Sequence, residues 1–199
     1  MSVIYKVIAS PPYNYNEILR YSHSAGGELE KYKAVIDECI FEIEPKIKYG
    51  YVYSVLDVDF VNEAFDFPFG NFCSRDLSRL LCKCEKAILV CVTAGFASQI
   101  LSERYSYISP LKSLFFDSIG SERAEAICDS AVMDIMVEND IKLTPRFSPG
   151  YGDLPLRIQP EILEYLEAKK YLGVTIDKSN LMNPVKTVTA FAGVLKKIT

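Results

Sequence analysis

The sequence predicts a mixed α+β domain whose central sheet is mostly antiparallel and flanked by helices. Three observations lead there. Residues 87–94 form a near-continuous apolar run closed by Gly95, the length and composition of a strand buried on both faces. Residues 28–41 and 110–138 carry apolar side chains at helical spacing, so each presents one face to a core. Residues 187–195 alternate as a final strand. The interleaving of the two element types also permits an α/β sheet.

Taken in order, residues 2–9 read as a first strand stopped by Pro11-Pro12, and Asn16 is placed to cap a helix running from Glu17 to about Ser24. Gly26-Gly27 end that helix; no Gly-Lys-Ser/Thr follows that would make them a phosphate loop. Residues 43–58 have strand character, with a turn or bulge at Tyr49-Gly50-Tyr51, and the Phe-rich residues 59–72 are expected to be irregular. Ser74 caps a helix through about Lys83, Asp76 favouring its dipole. Gly95 to Ser98 open a further helix, either as a tight connection or as a ligand-binding strand-to-helix corner. An interruption is expected near Gly120 in the long tract 110–138. Residues 159–172 read as one amphipathic helix ended by Gly173, and Asn183-Pro184 turns the chain into the last strand.

One domain over residues 1–199 is the expectation from length. With 49% hydrophobic and 24% charged residues the composition is that of a globular protein, which excludes wholesale disorder. A net charge of −4 without a basic block gives no footprint for nucleic acid or for an anionic membrane. The apolar runs are too short to span a bilayer, and the first residues lack signal-peptide character, so the reading is cytoplasmic. Cysteines 39, 73, 82, 84, 91 and 128 sit among apolar neighbours and are expected to be reduced, buried thiols; their spacing lacks paired C-x-x-C ligands, and no metal site is assigned. The single histidine, His23, removes histidine clusters and leaves no pair for Ser-His-Asp or Cys-His chemistry unless it serves alone. No catalytic residue is assigned.

The stretch least like ordinary packing is Arg146-Phe-Ser-Pro-Gly-Tyr-Gly-Asp-Leu-Pro155. Pro149 stiffens it, Gly150 and Gly152 allow positive φ, and backbone N–H groups there are expected to point at a ligand. Arg146 is a permanent cation suited to gripping a carboxylate, and Tyr151 a flat ring suited to a base or sugar. Glu125, between Ala124 and Ala126, is a carboxylate that could approach a ligand closely, or equally one on a solvated helix face.

The Arg-x-x-x-Gly-Tyr pattern of residues 146–151 resembles the S-adenosylmethionine-binding motif of the activation domain of cobalamin-dependent methionine synthase. The helix Asp117-Ser-Ile-Gly-Ser-Glu-Arg-Ala-Glu-Ala-Ile-Cys-Asp129 and the closing segment Ser179-Asn-Leu-Met-Asn-Pro-Val-Lys-Thr-Val-Thr-Ala-Phe-Ala-Gly193 resemble that family's segments in the same order. The resemblance covers roughly the second half of the chain; the first half is nearer to the form in which this domain is a separate small subunit. It implies S-adenosylmethionine as ligand, with Arg146, Phe147, Gly150, Tyr151 and Glu125 as cofactor-binding residues. Arg146 would take the methionine carboxylate, Gly150 would admit close backbone approach, and Tyr151 would cover the nucleoside or face a corrin. It also implies reductive remethylation of cob(II)alamin on a separate methionine synthase (5-methyltetrahydrofolate–homocysteine methyltransferase), with an electron donor such as flavodoxin or ferredoxin. Cobalamin would arrive on that partner, since no Asp-x-His-x-x-Gly sequence occurs here. Phe147 replaces the family's common proline, and Gly152-Asp-Leu-Pro155 replaces its Pro-rich continuation, which leaves the adenosine contacts unassigned. The alternative is a regulatory module that holds S-adenosylmethionine without redox duty. A conventional methyltransferase lacks support, because no Gly-rich loop follows the first strand.

Overall fold

The computed structural model describes residues 3–23, 29–61 and 64–195. In chain order the elements are β1 (Ile4–Val7), α1 (Tyr15–Tyr21), α2 (Leu29–Ile43), β2 (Gly50–Asp57), β3 (Phe60–Val61), β4 (Ala64–Phe67), β5 (Gly70–Phe72) and α3 (Arg75–Leu81). They continue as β6 (Lys86–Thr93), α4 (Ala97–Tyr105), α5 (Pro110–Asn139), β7 (Lys142–Leu143), α6 (Gln159–Tyr165), α7 (Ala168–Leu172), β8 (Thr175–Ile176), β9 (Met182–Asn183) and β10 (Thr187–Leu195). The main sheet has the order β1-β2-β6-β10-β7, and every neighbouring pair is antiparallel. Helices flank it, as the patterning predicts.

The apolar run is the middle strand, and its two faces feed two cores. Ile88, Val90 and Val92 of β6 pack with α1, α2, α4 and α5, whereas Ala87, Leu89 and Cys91 pack with α3, α6, α7 and a cluster of phenylalanines. Strict alternation along a strand makes this division inevitable once both faces are covered. Each large side chain buried in this way stabilises the fold by roughly 1.5–3 kcal/mol.

Several expectations are corrected. Asn14, not Asn16, caps α1: its side chain accepts from the N–H groups of Asn16 and Glu17, because the helix begins two residues early. Ser24, Gly26, Gly27 and Glu28 lie outside the described residues. Gly50 opens β2 instead of turning the chain; a Cβ there would lie 3.0 Å from the Lys6 carbonyl on the paired strand. Residues 59–72 are not irregular but form a three-stranded antiparallel sheet, β3-β4-β5, which packs Phe67 and Phe72 against Phe191 of β10, with Phe65 stacked on Phe67. The tract 159–172 is two helices, since Glu167 adopts φ 49° between α6 and α7. Cys39, Cys84, Cys91 and Cys128 are buried thiols, but Cys73 and Cys82 are exposed. Among the described residues no group of three or more His, Cys, Asp or Glu is arranged to hold a metal, and no helix is long and apolar enough to cross a membrane.

α5 runs uninterrupted through Gly120. That glycine is a contact surface for α4: an added Cβ would meet Ser98 Oγ at 2.2 Å and Ser98 Cβ at 2.5 Å. One turn further on, Arg123 is fully buried, donating to both oxygens of Glu122 and to the carbonyls of Pro11 and Pro12, with its guanidinium 3.6 Å from the Tyr13 ring centroid. Glu122 also accepts the N–H of Asn14 at 3.0 Å, so the segment between β1 and α1 is fastened to α5 by charge-assisted bonds. Gly120→Ala should destabilise the protein by about 1–3 kcal/mol through overpacking. A urea titration is expected to show that loss, and to show it much reduced when the same change is made in a Ser98→Gly background, because the two closest contacts both belong to Ser98.

Candidate functional site

The segment that leaves β7 stays against the edge of β10. Leu143 pairs with Val194, Thr144 exchanges hydrogen bonds with Gly193 at 2.9 and 2.8 Å, and Phe147 exchanges backbone bonds with Phe191 at 2.9 and 2.8 Å. Four steps from 143 to 147 oppose three from 194 to 191, so one extra residue is accommodated as a bulge. Pro145 lies in it; having no N–H, it leaves no donor stranded there. A bulge re-aims the neighbouring side chain, and Arg146 is turned towards α5.

There the guanidinium meets two carboxylates one helical turn apart. Arg146 Nη2 donates to Glu125 Oε2 at 3.0 Å and to Asp129 Oδ1 at 2.7 Å. Glu125 and Asp129 share a helix face by their i, i+4 spacing, a signal in the sequence that singles out Asp129 as well as Glu125. Burial opposes the charge on Arg146, but Cys128, Glu125 and Asp129 outweigh it and hold its pKa above the ordinary arginine value. Cys128 lies beneath, fully buried, and burial pushes its thiol up to about 12.

After Phe147 the chain makes a compact turn. Tyr151 N–H donates to the Ser148 carbonyl, Gly150 N–H to that of Leu154, and Leu154 N–H to that of Tyr151. Gly150 and Gly152 hold φ values of 90° and 52°, which their lack of a Cβ permits. The expectation that backbone N–H groups of this loop point at a ligand is therefore corrected for residues 147, 150 and 151: these donors hold the loop's own shape. Asp153 ties the far end to α3, accepting from Ser74 Oγ at 2.6 Å and from the N–H groups of Arg75 and Asp76 at 2.7 and 3.1 Å. The Ser74 hydroxyl first, then the backbone donors, hold the Asp153 carboxyl below its ordinary value.

Between this loop and α5 opens a cleft of about 940 Å³. Glu125, Arg146, Phe147 and Tyr151 line it; Gly150 does not. All three segments singled out in the sequence meet there: Ser121, Ala124 and Glu125 from the first, the Arg146 loop from the second, and Met182, Lys186 and Thr189 from the third. Tyr21 of α1 and Gln159 of α6 complete it and had no sequence signal, since both look like ordinary helix residues. Lys186 is held at the rim by Asp117 and Ser121, each at 2.8 Å.

The cleft lies in a mixed α+β domain whose antiparallel sheet is flanked by helices. Among solved structures, one described as the MetH reactivation domain bound to AdoHcy superposes with a TM-score of 0.73 at 14% sequence identity, covering 100% of this chain and 80% of that one. At that identity the likeness establishes the fold. The sequence matches no protein-family model and no curated protein.

The Asp153 contacts give a pH prediction. A depressed carboxyl contributes stability above its unfolded value that disappears as pH falls through the lower folded value. The stability difference between the wild type and Asp153→Asn should be constant at neutral pH and shrink once pH drops below 3.8, the ordinary aspartate value. Urea midpoints measured across that range check it.

Proposed function

We propose that the chain binds S-adenosylmethionine in the cleft beside Arg146 and acts as an activation subunit for a separate cobalamin-dependent methionine synthase, supporting reductive remethylation of its cob(II)alamin. One observation carries this reading: three sequence segments resembling the activation domain converge on a single cleft, in a fold shared with a domain described as holding AdoHcy. The cleft is of the size that encloses small ligands.

The residues fit the ligand's chemistry. Arg146 spends Nη2 on Glu125 and Asp129; a ligand carboxylate would take a single N–H from Nη1 or Nε, or gain a forked pair by displacing one of those two carboxylates. Glu125, which lines the cleft, is a carboxylate that would complement an α-ammonium or a sulfonium. Phe147 and Tyr151 offer rings to the nucleoside. A sulfonium is already an activated methyl donor, so what the chain must supply is alignment. The partner's cobalamin would supply the cobalt that takes the methyl group, with one electron from a carrier such as flavodoxin or ferredoxin. Tyr151, largely exposed at the rim, stands where the methyl group must be handed outward.

Calorimetry with S-adenosylmethionine tests the reading. Arg146→Ala should weaken binding by on the order of 2 kcal/mol or more, the scale of a lost charge-assisted contact. Circular dichroism should be unchanged. Absence of binding by the wild type, alone and with a cobalamin-loaded methionine synthase, would sink the proposal. Binding without methyl transfer to cob(II)alamin in the presence of a reductant would instead identify a regulatory module.

A further inference from the structure

Arg146 is already engaged at the nitrogen that a ligand carboxylate would most need. A guanidinium offers two edges for a forked pair, Nε with Nη2 and Nη1 with Nη2, so Nη2 belongs to both. That nitrogen donates to Glu125 Oε2 at 3.0 Å and to Asp129 Oδ1 at 2.7 Å. With both of its protons given to these carboxylates, neither edge is complete for a third. A ligand carboxylate gains the forked pair only after one of the two lets go.

The two carboxylates are not equivalent. Glu125 lines the cleft and Asp129 does not. Asp129 borders a separate hollow shared with Val7, Met133 and Asp134. Its side chain is 69% exposed, against 45% for Glu125 and 24% for Arg146. Among the described residues Arg146 is its one side-chain partner. A carboxylate this exposed is taken up by water at little cost when its ion pair opens, which is why such pairs contribute little. Glu125, if released, would stay in the cleft beside the incoming carboxylate and repel it. The geometry therefore favours Asp129 as the group that yields.

We infer that Asp129 is an internal stand-in for the ligand carboxylate: it holds the Arg146 guanidinium in place and gives up its Nη2 proton to the carboxylate of an amino-acid ligand. This rests on the proposed binding of S-adenosylmethionine at Arg146 and adds a residue that sets the affinity from outside the cleft. The contact that orders Arg146 thus competes with the ligand, and the fraction of molecules in which it is closed lowers the apparent affinity. The competition falls only on ligands that bring a carboxylate. One without it leaves the Asp129 pair intact.

The test is calorimetry with S-adenosyl-L-homocysteine and its decarboxylated analogue, which keeps the amine, on the wild type, Asp129→Ala and Asp129→Asn. Asp129→Ala should bind S-adenosyl-L-homocysteine about two- to fivefold more tightly than the wild type, the scale on which an exposed ion pair competes. It should bind the decarboxylated analogue no more tightly. Asp129→Asn keeps a neutral acceptor and should gain less; it carries the test where the alanine variant fails to fold. Equal or weaker binding of S-adenosyl-L-homocysteine by the folded variants overturns the inference and leaves the proposed ligand site intact. An equal gain for both ligands also overturns it, because such a gain does not depend on the ligand carboxylate. Failure of the wild type to bind S-adenosyl-L-homocysteine, alone and with a cobalamin-loaded methionine synthase, overturns the underlying site, and this inference with it.

Discussion

The site depends on a single backbone bridge, Phe147 to Phe191. Phe191 is fully buried and stacked over the phenylalanines of β4 and β5, so its main chain is held by a packed core. Two hydrogen bonds transfer that rigidity to Phe147. Arg146, one residue earlier and inside the bulge, inherits a position set by the core before any ligand arrives. Asp153 fixes the other end of the loop on α3. The guanidinium is thus ordered by the fold itself, and its proposed binding role would cost little further conformational freedom.

α5 supplies the opposite wall and does two jobs at different phases of its turn. Gly120, Glu122 and Arg123 face inward, where close packing and a buried ion pair lock the helix against α4 and the segment after β1. Glu125 faces the cleft, and Asp129 holds Arg146 from beside it. The buried pair and the two carboxylates on Arg146 are two to seven residues apart, so any shift of the helix along its axis would move the carboxylates away from Arg146. Breaking a buried pair leaves an uncompensated charge, a cost far above that of a surface pair. Helix position is therefore strongly held where the site most needs it.

Much of this fold was legible locally. The run 87–94 reads as a strand because every residue but Thr93 is apolar, and Ser74 reads as a cap because its hydroxyl is one residue before a helical stripe. β10 begins and ends where alternation in the sequence begins and ends. The three-stranded sheet at 59–72 was illegible because its strands are two to four residues long and their pairing, not their period, defines them. The break at Glu167 was hidden because nothing marks a non-glycine residue for positive φ before the tertiary packing demands it. In the site, Arg146, Phe147, Tyr151 and Glu125 stood out through a motif, whereas Gln159 resembles any helix-start glutamine until its burial against Thr189 is seen.

The amino-acid sequence by itself determined the mixed α+β class, the central strand and the guanidinium, carboxylate and aromatic rings that line the cleft. Those follow from hydrophobic period and side-chain chemistry, which act over a few residues. Only the tertiary structure decided that 117–129, 146–155 and 179–193 share one cleft, that Asp129 joins Glu125 on Arg146, and that Gly150 closes a turn away from it. Contacts of that kind join residues far apart in the chain, and they are fixed by the packing of two cores across one sheet.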